Sequence, residues 1–232
     1  VTFGEMKYTK PGTYTYTITE DGDVPGITND TEASKTVTVT VVDNGNGTLT
    51  ATASSTTDEP LTFTNRYDTD DCVESISITK VLEHADDLTP EDITGKFTFT
   101  LEAVSENAPM PKAGEEVKTN PASGKVTFGE ITFTAPGTYD YKVTEAVTEG
   151  ANVGGITNDA EAVIGKKVTI VVKDDGNGKL YADKDVSNLA STVFTNKYAA
   201  GPDKAAIPVE KKLEILGGVG PDSIEGKFTF TL

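Results

Sequence analysis

The stretch PGTYDYKVTE, residues 136–145, alternates apolar and polar side chains, which is the pattern of a β-strand with one face in the core. The side chains on the predicted inward face are Tyr139, Tyr141, Val143 and Glu145. The stretch recurs as PGTYTYTITE at residues 11–20, where Glu20 takes the place of Glu145. The sequence therefore predicts an inward-facing carboxyl group twice, at matching positions.

Other motifs recur in the same order, which indicates copies of one structural unit. They are VTFGE at 1 and 126, GITND at 26 and 155, DNGNGTL at 43 and DDGNGKL at 174, FTNRY at 63 and FTNKY at 194, and GKFTFTL at 95 and 226. We predict the back part of one repeat over residues 1–67, a complete repeat over 76–198 and the first strands of a third over 207–232. The polar, turn-prone residues 68–75 and 199–206 are predicted linkers.

Short alternating runs and glycine-rich turns dominate the complete repeat. Asn-Gly and Gly supply the positive φ angles that tight hairpins need, so DNGNG and DDGNG predict hairpin turns. We expect an all-β chain with about seven strands per repeat, arranged as tandem sandwiches.

Composition limits the classes of partner. The chain has 232 residues and a formal net charge of −17, which argues against nucleic acid or an anionic membrane as a partner. Cys72 is its one cysteine, so no disulfide framework or thiolate metal cluster is expected. No apolar run approaches the roughly 20 residues of a membrane helix, and no signal peptide or sorting tail is visible. If the protein is exported, those segments are expected outside this sequence.

Two other strands repeat the pattern of a polar group on an apolar face. SISITKVL places Lys80 beside isoleucines and a leucine, and the later copy places Lys211 in the same phase. VFTNKY and its earlier copy place Asn196 and Asn65 between an inward phenylalanine and an inward tyrosine. Strand ends often let one such group reach solvent, and an ordinary buried ion pair is a second explanation. Both explanations are weakened because all three polar residues occur at matching positions in both copies.

Burial of a lysine and a glutamate together favours the neutral amine and the neutral acid. A neutral amine is a nucleophile, and a neutral carboxylic acid can polarise the carbonyl of an amide. Contact between amine and amide supplies the effective concentration that this slow reaction needs. The pattern thus predicts loss of ammonia and formation of a Lys–Asn isopeptide bond.

The order of these motifs, an early TK, a central GTYxYxVTE and a closing FTNxY, resembles the streptococcal pilin isopeptide-linkage domain. Its members are immunoglobulin-like, CnaB-related sandwiches of Gram-positive pilins and surface adhesins. The resemblance implies that the linking lysines are Lys80 and Lys211 and that the proton-shuttling acids are Glu145 and Glu20. It implies that the amide partners are Asn196 and Asn65. No pilin-type sortase lysine motif is found, so a repetitive stalk or adhesin fits better than a polymerising pilin backbone.

The resemblance implies a structural module at the cell surface or cell wall of a Gram-positive bacterium, with neighbouring repeats of the same protein as its partners. A host-protein or glycan-binding module, with a host surface ligand, is the alternative. A turnover enzyme ranks third, since the cross-link is a single-turnover reaction.

No cofactor or metal site is expected. The acidic glycine-rich loops lack the spacing and closing glutamate of an EF-hand, and hairpin turns explain them. His84 is the one histidine and lies in a charged loop, which excludes a histidine-based triad. Cys72 lies among aspartates in a predicted linker, where its pKa would be raised.

The two ends of the sequence match the same point in the repeat. Residues 1–67 lack a lysine strand and residues 207–232 contain one, so together they make one complete unit. We predict that the tail strand places Lys211 against Glu20 and Asn65. A neighbouring molecule is favoured as its source, by strand complementation, and closure within one chain is the alternative.

Overall fold

The computed structural model describes residues 1–232, which divide into two compact units, residues 1–199 and 200–232. All strands lie in the first unit. They are β1 (Gly12–Thr19), β2 (Ile27–Thr28), β3 (Ser34–Asp43), β4 (Leu49–Ala53), β5 (Arg66–Tyr67), β6 (Cys72–Glu83), β7 (Phe97–Ala103), β8 (Val117–Thr119), β9 (Lys125–Phe133), β10 (Gly137–Val147), β11 (Ile156–Thr157), β12 (Lys166–Asp174), β13 (Leu180–Ala182) and β14 (Thr192–Tyr198). No helix long and apolar enough to cross a membrane is present.

The complete repeat is an immunoglobulin-like sandwich of two sheets. One sheet has the strand order β13-β12-β10-β7-β8 and the other β11-β14-β6-β9. Neighbouring strands are antiparallel except β14 and β6, the last and first strands of the repeat, which pair in parallel. The all-β prediction is confirmed. The seven predicted strands are present, and two short strands that the sequence did not reveal, β8 and β11, bring the number to nine.

The core lies between the two sheets and is built from the inward positions of the alternating strands. Phe99 of one sheet and Phe194 of the other meet with their ring centroids 5.4 Å apart. Phe97, Ile76, Ile78, Leu101, Ile131, Phe133, Tyr141, Val143, Val168 and Ile170 are also almost fully buried. Alternation along each strand therefore places every second side chain in this core, as predicted.

Residues 1–67 form the counterpart of part of this sandwich. The sheet β1-β3-β4 has the order of β10-β12-β13, and β2 pairs with β5 as β11 pairs with β14. The strand predicted over Phe63–Tyr67 is reduced to Arg66–Tyr67, and Asn65 is exposed, whereas Asn196 is fully buried. In the complete repeat, β6 lies beside β14 along its length, and no strand takes that place beside β5.

The first strand of the complete repeat extends into the residues predicted as the first linker. β6 begins at Cys72, so residues 72–75 of the predicted linker belong to a strand. Cys72 pairs with Phe133 of β9 and is buried. Burial, followed by the negative charge of Glu74, raises the pKa of its thiol. The expected direction was right, but the main cause is burial and not the neighbouring aspartates.

The second unit, residues 200–232, contains no strand. The two strands predicted from residue 207 onward are therefore not formed in it. An isolated strand has no partner for its backbone groups, and a two-stranded hairpin is marginal in water, so this outcome has a simple physical reason.

Candidate cross-linking site

Three strands from both sheets bring the predicted lysine, glutamate and asparagine together. Lys80 lies on β6 and Asn196 on β14, and the parallel register sets Phe194 opposite Lys80. Asn196, two residues further along β14, has its side chain on the same face of that sheet as Phe194. Glu145 comes from β10 in the facing sheet, where it pairs with Phe99. The strand alternation that buries the phenylalanines thus also buries the three polar groups.

The three side chains are removed from solvent. Lys80, Glu145 and Asn196 are 5%, 2% and 0% exposed. The Lys80 Nζ lies 2.6 Å from the Glu145 Oε1, and it lies 4.4 Å from the centroid of the Phe97 ring. Although the amine and the carboxyl touch, neither the Lys80 Nζ nor either Glu145 oxygen has a partner in hydrogen-bonding geometry. An ordinary buried ion pair would satisfy these groups with additional hydrogen bonds.

Burial shifts both groups toward their neutral forms. Removal from water lowers the pKa of the Lys80 amine, and the attraction of Glu145 opposes that shift without reversing it. Removal from water likewise raises the pKa of the Glu145 carboxyl, against the opposing effects of Lys80 and Asn196. Burial thus moves the pKa of each group in the direction of a neutral amine next to a neutral acid.

The amide of Asn196 is held in a fixed orientation by the loop that follows β11. The backbone N–H of Asp159 donates to the Asn196 Oδ1 at 2.8 Å, and the Asn196 Nδ2 donates to the Asn158 Oδ1 at 3.3 Å. A donor on the amide oxygen stabilises the negative charge that develops there when a nucleophile attacks the carbonyl carbon. The arrangement thus resembles an oxyanion hole with one backbone donor.

Asp159 is itself anchored. Its Oδ2 accepts from the Lys166 Nζ at 2.9 Å and from the backbone N–H of Thr195 at 2.8 Å. Burial alone would raise the pKa of Asp159, but Lys166 and the backbone donors hold it below its usual value. Lys166 also donates to the carbonyl of Val193 and lies 5.1 Å from the Phe194 ring. The sequence reasoning missed Asp159 and Lys166, although the recurrence of GITND pointed to this loop.

Comparison with protein families gives a match over most of the chain. A family model described as "FctA: Spy0128-like isopeptide containing domain" matches residues 1–68 and 76–199. The chain belongs to the FctA family. The resemblance to pilin isopeptide domains is thereby confirmed, and the chain is a structural module of the pilin type. Structural families of this kind are generally non-enzymatic.

Two other comparisons concern solved structures and curated protein sequences. A structure of the major pilin protein (T3.2) from Streptococcus pyogenes serotype GAS13637 is 20% identical in sequence. The match covers 82% of this chain and 68% of that chain, with a TM-score of 0.24. Comparison with curated protein sequences yields no significant match.

Residues 1–67 contain a partial copy of the site. The Asn65 Nδ2 donates to the Glu20 Oε1 at 3.0 Å, and the Asp30 backbone N–H donates to the Asn65 Oδ1 at 3.0 Å. Lys35 donates to Asp30 at 2.8 Å as Lys166 does to Asp159. This contact, followed by two backbone N–H donors, lowers the pKa of Asp30 to about 2.

Residues 1–67 contain no counterpart of Lys80, and two observations concern Lys211 as the lysine of this partial copy. The Glu20 Oε2 is buried and has no hydrogen-bond partner. Within the second unit, the Lys211 Nζ lies 4.7 Å from the Phe228 ring. Phe228 corresponds to Phe97, so Lys211 makes the same contact as Lys80 does in the complete repeat. Lys211 therefore shares one contact with Lys80, although Lys211 and Asn65 are exposed where Lys80 and Asn196 are buried.

Proposed function

We propose that this chain is a structural repeat module of a Gram-positive cell-surface stalk, of the pilus or adhesin type, stabilised by an autocatalytic isopeptide bond between Lys80 and Asn196. The observation that carries the proposal is the fully buried contact between the Lys80 Nζ and the Glu145 Oε1, 2.6 Å apart, in which burial shifts the pKa of both groups toward the neutral forms. Asn196, fully buried on the strand beside Lys80, is the amide that reacts.

The reaction begins with attack of the neutral Lys80 Nζ on the Asn196 Cγ. The negative charge that forms on the Asn196 Oδ1 is stabilised by the Asp159 N–H and by the proton of neutral Glu145. Glu145 then passes a proton from the new ammonium group to the Asn196 Nδ2. The Cγ–Nδ2 bond breaks, ammonia leaves, and one amide has replaced another without an external reagent.

The position of the bond supports a mechanical role. β6 is the first strand of the complete repeat and β14 the last, and they lie side by side in parallel. Force applied along the chain enters near β6 and leaves near β14. A covalent bond between Lys80 and Asn196 carries that force across the two strands, so the residues between them are not extended.

We propose that Glu20, Asn65 and Lys211 form a second triad when a strand of the 207–232 type completes residues 1–67. The Glu20–Asn65 hydrogen bond and the unpartnered Glu20 Oε2 support this assignment. On this proposal the chain comprises parts of three tandem repeats, with boundaries at 67, 76, 198 and 207. The lysine strand is supplied by a neighbouring chain or by the same chain. A denaturing gel separates these two: a ladder of covalent multimers indicates exchange, and one compact band indicates closure within the chain.

A host-protein or glycan-binding role is the second candidate and has less support. An aromatic face exposed on a strand would favour it. The two tyrosines in the central strand of the complete repeat instead direct their hydroxyls to backbone carbonyls, Tyr139 to Ala135 and Tyr141 to Pro109, at 2.8 Å each.

Peptide mapping tests the proposed bond. Digestion of the intact chain should release one branched peptide that contains both the Lys80 and the Asn196 segments, and the Asn196→Ala variant should release two linear peptides in its place. Recovery of linear Lys80 and Asn196 peptides from the wild-type chain would contradict the proposal.

A further inference from the structure

A glycine-rich hairpin turn of the complete repeat is seated against the end of the preceding segment. We call residues 174–180, which connect β12 to β13, the turn, and we call Gly26 and Tyr67 the socket. The Tyr67 hydroxyl donates to the Asp174 Oδ1 at 2.7 Å and accepts from the Gly178 N–H at 3.0 Å. The Asp70 N–H donates to the Gly178 carbonyl at 2.8 Å, which continues the contact along the backbone.

Two glycines allow this contact to be close. A Cβ on Gly26 would lie 2.7 Å from the Gly178 Cα, and a Cβ on Gly178 would lie 2.5 Å from the Gly26 Cα. Both residues have positive φ, +77° and +84°. Any larger residue at either position would therefore clash with backbone atoms of the other segment and would also strain its own backbone.

The complete repeat carries the same socket at its own far end. A Cβ on Gly155 would lie 2.9 Å from the Tyr198 ring, as one on Gly26 would lie 2.6 Å from the Tyr67 ring. The Ala199 N–H donates to the Gly155 carbonyl at 2.9 Å, as the Asp68 N–H donates to the Gly26 carbonyl at 2.9 Å. Gly155 is exposed and Tyr198 is half-buried.

The first segment carries the same turn. Residues 43–49 connect β3 to β4, and their two glycines, Gly45 and Gly47, have φ of +71° and +83°. Asp43 accepts from the Gly45 N–H at 2.9 Å, as Asp174 accepts from the Gly176 N–H at 2.8 Å. No atom would lie within 4 Å of a Cβ on either glycine, so this turn has the geometry of the seated one and no neighbour.

We propose that Gly155 and Tyr198 form a docking site for the Asp-x-Gly-x-Gly turn of another repeat, and that the turn at residues 43–49 of a second copy of this chain occupies it. One chain thus contains one formed junction, one open socket and one free turn, and repeats join end to end by the same contact. The junction is non-covalent and does not depend on the isopeptide bond. Between separate chains the contact is weak because it is small, whereas a tether between repeats raises the effective concentration of the turn.

A dilution series followed by amide NMR shifts tests the proposal. The chain is labelled with ¹⁵N and studied up to roughly millimolar concentration at about 0.15 M salt, where screening limits repulsion between copies of net charge −17. We expect concentration-dependent shifts at residues 43–49 and around Gly155 and Tyr198. Absence of shifts at both places, or shifts confined to other surfaces, would overturn the proposal.

The Tyr198→Phe variant removes the hydroxyl that the turn would contact, and Tyr181→Phe, which removes the hydroxyl of an exposed tyrosine outside the socket, is its control. Self-association shifts should vanish in Tyr198→Phe and persist in Tyr181→Phe. Unlabelled Tyr198→Phe added to labelled wild-type chain should still shift the labelled Gly155, because the variant keeps its free turn. Equal behaviour of the two variants would refute the role of the hydroxyl and with it the docking site.

Discussion

Replacement of Glu145 by glutamine tests the proposed chemistry with the smallest change in shape. Glutamine keeps the volume of the buried side chain but cannot exchange a proton between the Lys80 amine and the leaving amide nitrogen. We expect Glu145→Gln to fold with the same sheets and to retain its ammonia. The chain then lacks the bond between β6 and β14.

The size of the effect follows from the length of the closed loop. A bond between Lys80 and Asn196 closes a loop of about 117 residues, which by the entropy relation for disulfides corresponds to about 5 kcal/mol of stabilisation. For a sandwich of this size, each kcal/mol corresponds to roughly 3–5 °C in melting temperature. The melting temperature of the variant should therefore fall by about 15–25 °C.

The assay pairs intact-mass measurement with thermal unfolding on the same samples. Glu102→Gln is the control, since Glu102 lies on the neighbouring strand β7 with half of its side chain exposed and makes only a surface ion pair with Lys142. The control should keep both the mass deficit and the melting temperature of the wild-type chain. Loss of ammonia from Glu145→Gln would refute the assigned role of the acid. Loss of the bond with an unchanged melting curve would refute the proposed stabilisation.

Three other predictions concern the neighbourhood of the bond. Lys80→Met should lower resistance to heat and to protease far more than Lys197→Ala, which alters a lysine whose side chain is 75% exposed; equal digestion half-lives would contradict this. Because the pKa of Asp159 is lower in the folded than in the unfolded chain, its contribution to stability is present above about pH 4 and is lost as the pH falls further. The melting temperature of Asp159→Asn should therefore fall less on acidification than that of the wild-type chain, and parallel curves would show that Asp159 does not contribute. Lys166→Met removes the hydrogen bond that holds Asp159, so it should lower the fraction of cross-linked chain in freshly purified protein without abolishing the bond. A cross-linked fraction equal to that of the wild-type chain would show that this hydrogen bond is dispensable.

Much of the fold and of the site could be predicted from alternation alone. The inward positions of β6, β10 and β14 carry Lys80, Glu145 and Asn196, and an alternating run fixes which face each side chain takes. Each of these alternating stretches occurs twice, and the polar residue among the inward apolar ones occurs at the same position both times.

Other features depend on groups that a sequence pattern does not show. The donor to the Asn196 amide is a backbone N–H, which every residue except proline carries. β8 and β11 span three and two residues, which is too short for an alternating pattern of apolar and polar residues to be recognised. The exposure of Asn65 follows from the absence of a strand beside β5, which local sequence cannot reveal.

The intact mass of the wild-type chain, measured under denaturing conditions beside Lys80→Met and Asn196→Ala, tests the proposed isopeptide bond without any assumption about its effect on stability. We expect the monomeric wild-type chain to be lighter than its sequence mass by one ammonia molecule for the Lys80–Asn196 bond. We expect each variant to lose that part of the deficit. A wild-type chain of unaltered mass, or variants whose deficit equals that of the wild-type chain, would contradict the Lys80–Asn196 bond.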